Sequence, residues 1–114
     1  MIDFRQINYF SMTYVFIEEE EDIVCEYEQT DPPIEVAADG LSVTFTLKNI
    51  DPDEDSEAYL TTLIQKGADD FYLTSTYFEN ASELYPLSVE ISDEEVKFTL
   101  TGEDEVMYLY GFFA

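Results

Sequence analysis

The chain has no histidine and no tryptophan, a single cysteine, four glycines, four prolines and only four basic residues, Arg5, Lys48, Lys66 and Lys97. Each shortage closes off a class of function. Without histidine, the commonest general base, the usual nucleophile–histidine dyads and every His-containing zinc or haem site are gone. One cysteine, Cys25, cannot form an intrachain disulfide, and nothing points to an oxidising compartment. Four scattered cations cannot displace the counterions of a polyanion, which argues against direct nucleic-acid binding. No glycine-rich phosphate loop occurs, and no apolar run approaches the ~20 residues of a membrane span. Residues 1–8 also lack the apolar core of a secretory signal. The expected location is the cytoplasm, or a host cytoplasm for a phage-encoded protein.

Against the four cations stand 27 Asp and Glu residues, for a formal net charge of -23. Small soluble domains usually carry a net charge of about 2 to 8 in magnitude, because excess charge of one sign repels itself in the compact state. Yet 46% of the residues are hydrophobic, with nine Tyr and nine Phe, enough for a real core. At 114 residues the chain is expected to form a single domain, 1–114. A folded monomer of 13.2 kDa exposes about 6,400 Å², or roughly 280 Å² per net charge. Duplex DNA presents one charge per roughly 110 Å². Confining the acids to about 40% of the surface would therefore match the charge density of DNA.

The hydrophobic pattern is that of antiparallel strands. Residues 9–17 are aromatic and β-branched without charge, which predicts a strand buried on much of both faces. Ile23, Cys25 and Tyr27 alternate with Val24, Glu26 and Glu28, the first set predicted inward and the second outward. Residues 34–47 read as a hairpin with a two-residue turn at Asp39-Gly40, with Val43, Phe45 and Leu47 on one face. Residues 71–79 read as another aromatic strand. A second hairpin spans 86–100, turning near Ser92 to Glu95 with Val96, Phe98 and Leu100 inward. The end, 106–114, is apolar on both faces and is expected to pair centrally.

A shift of 53 residues lays Pro33, Val36, Val43, Phe45, Thr46, Leu47 and Asp51 on Pro86, Val89, Val96, Phe98, Thr99, Leu100 and Asp104. An internal repeat of 1–66 and 67–114 and shared β-propensity both account for these matches. Residues 53–67 carry helix signals, with acids in the first turn, Lys66 in the last, Gly67 following, and Tyr59, Leu60, Leu63 and Ile64 on one helical face. The same residues alternate acceptably as a strand, and the reading leans to a short helix near 55–66. The fold class is mainly β, α+β with at most that one helix, as a sandwich or small barrel of antiparallel hairpins.

No residues select a catalytic site. Cys25 is predicted to point inward beside acidic neighbours, where a thiol is unreactive. Residues 51–57 start like a calcium loop, but Ser56 stands where glycine is required and Thr62 where the motif has glutamate, so only weak adventitious Ca²⁺ or Mg²⁺ binding is expected. No carboxylate pair stands out for glycoside hydrolysis. The chain is expected to be no enzyme and to use no cofactor and no dedicated metal.

The charge distribution remains. Acids collect in predicted turns, where any β protein is polar, while Glu26, Glu28, Glu35 and Glu90 sit at outward strand positions about 6.6 Å apart along a strand. The candidate partner-binding residues are Glu18, Glu19, Glu20, Glu21, Asp22, Glu26, Glu28, Asp51, Asp53, Glu54, Asp55 and Glu57. In size and charge the chain resembles the heterogeneous class of phage-encoded DNA mimics that inhibit restriction enzymes, glycosylases and CRISPR effectors, a likeness of composition that carries over no motif and no residue. The partner expected is a basic protein, such as a nuclease or another nucleic-acid-binding enzyme. Three alternatives stand beside this expectation: an immunity protein neutralising a basic toxin, a small β-barrel binding an apolar ligand, and general acidity adapted to a salt-saturated cytoplasm.

Overall fold

The computed structural model describes residues 2–30, 35–50, 58–68, 70–78, 80 and 82–113. Among the described residues a short 3₁₀ turn at Phe4–Gln6 is followed by nine strands: β1 Ile7–Phe16, β2 Ile23–Gln29, β3 Glu35–Val36, β4 Ser42–Asn49, β5 Ala58–Gly67, β6 Asp70–Ser75, β7 Tyr85–Ile91, β8 Glu95–Thr101 and β9 Glu105–Phe113. All pairings are antiparallel, in the order β2-β1-β9-β8-β7-β6-β5-β4-β3. β2 also pairs with β4, through Tyr27↔Asn49, Glu28↔Lys48 and Gln29↔Leu47, and this closes an eight-stranded barrel with β3 as an extra strand. β3 borders the same side of β4 further along, so β2 and β3 share one place in the wall.

Alternation fills the barrel. Phe10, Met12 and Tyr14 of β1 point in, with Tyr27, Val43, Phe45, Leu47, Leu63, Phe71, Leu73, Leu87, Val96, Phe98, Met107 and Leu109 from the other strands. Phe10 and Phe45 stack in parallel with ring centres 4.1 Å apart. Phe10 fits because β9 carries Gly111, where a Cβ would come within 3.0 Å of the Phe10 ring and 3.1 Å of Ile7. One end is stoppered by the N-terminal segment. Phe4 is fully buried against Phe71 and Phe98, its N–H donates to the Gly40 carbonyl at 3.0 Å, and Gly40 adopts φ 73°, which an L side chain rarely takes.

Several expectations are corrected by the fold. Residues 58–67 form a strand and no helix, with Thr61, Leu63 and Gln65 buried on one face. The polar members of that face weaken the apolar alternation against the helix-end signals around it, and each has a partner: Thr61 shares a 3.1 Å hydrogen bond with Ser75, and the Gln65 amide, turned to satisfy both groups, donates to the Ile2 carbonyl at 2.7 Å and accepts from its N–H at 3.3 Å. β1 is buried on one face only, since a barrel has one inside, and Ile17 lies beyond its end and is exposed. Ile23, at the start of β2, is exposed, while Tyr27 is buried and Cys25 packs against the core as expected. The turn at Asp39-Gly40 is longer than two residues, since the Ala37 N–H reaches the Ser42 carbonyl across four residues. The strand expected over 71–79 ends at Ser75.

Candidate functional site at the acidic end

In an up-and-down barrel every second connection falls at the same end. β1, β4, β6 and β8 run toward one end, and β2, β5, β7 and β9 leave from it. Glu18, Glu19, Glu20, Glu21 and Asp22 in the β1–β2 connection, Glu83 before β7, and Glu103 and Asp104 between β8 and β9 thus share that end. No Lys or Arg lies in any of these connections. Backbone bonds tie the connections together, with the Ile17 N–H donating to the Asp104 carbonyl at 2.8 Å and the Ile50 N–H to the Glu26 carbonyl at 3.0 Å. Asp51, Asp53, Glu54, Asp55 and Glu57, five of the candidate residues, lie outside the described residues. Ile50 and Ala58, on either side of them, belong to the acidic end, and the sequence between carries no cation.

The opposite end is different. Its described connections hold Asp3, Asp39, Asp93 and Glu94 together with Arg5. Arg5 pairs with Asp3 at 2.9 Å, and the guanidinium holds the Asp3 carboxyl below the usual carboxylate range. Lys66 lies over the Tyr72 ring at 5.2 Å, and Lys97 lies 3.5 Å from Glu90 and 5.4 Å from the Tyr108 ring centre. Lys97 and Glu90 also line an open hollow of about 370 Å³ on the outer wall, with Ile91, Ser92, Glu95 and Tyr110.

Beneath the acidic rim the barrel is closed by tyrosines. Tyr14 packs on Phe16 and Tyr77, and Tyr59 meets Tyr27 and Tyr77 edge-on, with ring centres 4.8 to 6.0 Å apart. Burial pushes the Tyr14 phenol well above its ordinary value, and a hydrogen bond to the Glu105 carboxylate adds to this. Burial likewise raises Tyr77 and Tyr27. The acidic rim therefore stands on packed rings. Among the described residues, Met12, Thr61, Leu73, Ser75, Tyr77, Phe78 and Met107 line a void of about 10 Å³.

Protein-family models, curated proteins and solved structures were all compared with the chain, and none matches.

Of the sequence-derived site residues, the fold brings Glu18 to Asp22 and Glu26 to one end and one wall, and Glu26 and Glu28 are exposed on the outer face of β2 as expected. Glu28 differs from Glu26 in its surroundings: it faces Lys48 in register and accepts a 3.2 Å hydrogen bond from the Tyr9 hydroxyl. Glu90 lies on β7, four places round the ring from β2, so it is not part of the same face. Glu83, Glu103 and Asp104 were missed as site residues. Their only signal was position, in alternate turns of an antiparallel meander, and it becomes legible once the strand order is known. Among the described residues no three carboxylates or thiols converge as a metal site would require.

Proposed function

We propose that the protein is an acidic inhibitor that occupies the basic nucleic-acid groove of a DNA- or RNA-binding enzyme, presenting carboxylates where phosphates would sit. The observation that carries the reading is the segregation of charge: the described connections at one end of the barrel hold eight acids and no cation, and three of the four basic residues are ion-paired or seated on tyrosine rings elsewhere. Such an end attracts a cationic cleft from a distance, speeds encounter and competes with nucleic acid for the same Lys and Arg side chains. The packed core of the described residues supports a surface role, since the void beneath the acidic rim, about 10 Å³, is far short of the ~300 Å³ of a small-molecule pocket. The alternative of an immunity protein uses the same physics with a toxin as the target.

Capture on the immobilised protein from a low-salt lysate of the cell that carries the gene, or of its host, tests the reading. A nucleic-acid enzyme should be retained, released by rising salt, and displaced by competing duplex DNA or RNA. An enzyme that binds nucleic acid and this protein simultaneously would rule out occupation of its groove, and affinity unaltered by salt would rule out the electrostatic basis.

A further inference from the structure

Charge at the acidic end draws in any cationic surface and selects none. Beside it, on the outer wall, lies an apolar strip. Val24 of β2 faces Val15 of β1, and Val15 faces Val106 of β9. All three turn outward, because their neighbours Cys25, Tyr14 and Met107 turn toward the core. Ile17 continues the outward set of β1. Facing residues on paired strands lie ~4.5–5.5 Å apart between Cβ atoms, so the three valines form one continuous strip, which Ile17 extends two residues beyond Val15. Val24 is 56% exposed and Ile17 53%, and no described element of the chain lies over this wall. Acids border it, with Glu18 following Ile17, Glu26 next along the outer face of β2, and Asp104 bonded to Ile17.

We propose that this strip is the apolar centre of the contact surface and the acids are its rim, and that its occupant is a basic protein surface with apolar side chains set among its lysines and arginines. The proposal rests on the reading of the acidic end given above and adds the chemistry of the partner. Charge complementarity selects this occupant. A second copy would bring another -23 of net charge toward the same rim, and an anionic membrane would be repelled. An apolar centre within a polar rim is also how stable protein interfaces are built.

Two fluorescent lysine-rich peptides of equal length and charge, one with leucine and one with serine at every third position, test it by anisotropy. The leucine peptide should bind about tenfold tighter, as burial of two exposed aliphatic side chains implies, and should stay bound at about 0.5 M salt where the serine peptide is released. The double variant Ile17→Thr, Val24→Thr keeps β-branched residues in place, and its fold is checked by circular dichroism and melting. It should bring the leucine peptide down to the affinity of the serine peptide. Equal affinities for the parent protein, or a leucine advantage that survives the double variant, would overturn the strip while salt-released binding of both peptides left the acidic end intact. Leucine-peptide binding indifferent to salt and to Glu103→Gln with Asp104→Asn would instead overturn the electrostatic reading and the basic occupant with it. A free dimer that the double variant dissociates in the ultracentrifuge would give the strip to a second copy and overturn the proposal.

Discussion

Phe4 does the work of a lid with one side chain. It precedes the first strand, yet it is fully buried between Phe71 and Phe98, and its N–H and the buried Gln65 amide fasten the N-terminal segment across the barrel end. Phe4→Ala should cost about 3–5 kcal/mol, the usual range for deleting a buried ring, measured as the shift in a urea unfolding midpoint. A loss under about 1 kcal/mol would show that the segment is a loosely held tail. At the other end the consequence concerns protons. Burial holds the Tyr14 and Tyr77 phenols above their ordinary value, whereas in the unfolded chain they titrate near 10. Above about pH 10 the unfolded chain therefore releases protons that the folded chain keeps, so stability falls as pH rises from there until the folded phenols titrate too. Below that pH their contribution is fully present. Unfolding midpoints taken between about pH 9 and 11.5 should show this decline, and Tyr77→Phe should make it shallower. An unchanged slope in that variant would remove Tyr77 as a cause.

Among the elements, β2 carries the most direct test. Glu26 and Glu28 both face out, but only Glu28 has Lys48 opposite and the Tyr9 hydroxyl on its carboxylate. Glu26→Lys should weaken binding of an oligolysine probe about two- to fivefold at low salt, and Glu28→Lys less, because Lys48 stands opposite Glu28 in register. Neither change should move the unfolding free energy by more than about 1 kcal/mol, since both side chains are exposed. Equal effects of the two would mean that Lys48 does not screen Glu28. That alternation was legible in sequence for β4, β8 and all of β2 but its first residue, whose inward residues are mostly apolar, whereas β9, apolar at both sets of positions, showed none. It was misread in β5, where Thr61 and Gln65 occupy inward positions and the acids before Ala58, with Lys66 and Gly67 after, imitate helix ends. A period of two assigns faces and not neighbours. Barrel closure depends on the short β2–β4 seam, a contact between residues about twenty apart that no local pattern announces. The site was legible to the same extent: the acidic turns could be counted in sequence, but their gathering at one end follows only from closure in an up-and-down order.

For the molecule as a whole, the surface of 7086 Å² carries one net negative charge per roughly 310 Å², an average well below the density of duplex DNA. The proposed mimicry therefore depends on uneven distribution, and uneven distribution has a thermodynamic cost, because acids crowded at one end repel one another in the folded chain more than in the expanded one. That repulsion is screened once the Debye length falls to about 8 Å, near 0.15 M salt. The melting temperature should therefore rise by a few degrees between about 0.01 and 0.15 M NaCl and then flatten, since a stabilisation of about 1 kcal/mol moves a domain of this size by roughly 4 °C. The double variant Glu103→Gln, Asp104→Asn should melt higher than the parent at low salt and converge with it at high salt, because it removes part of the same repulsion. A melting temperature that kept climbing steeply toward molar salt would point to adaptation to a salt-saturated cytoplasm. In that case acidity would belong to the whole surface as a condition of folding, and its concentration at one end would lose its meaning as a binding device.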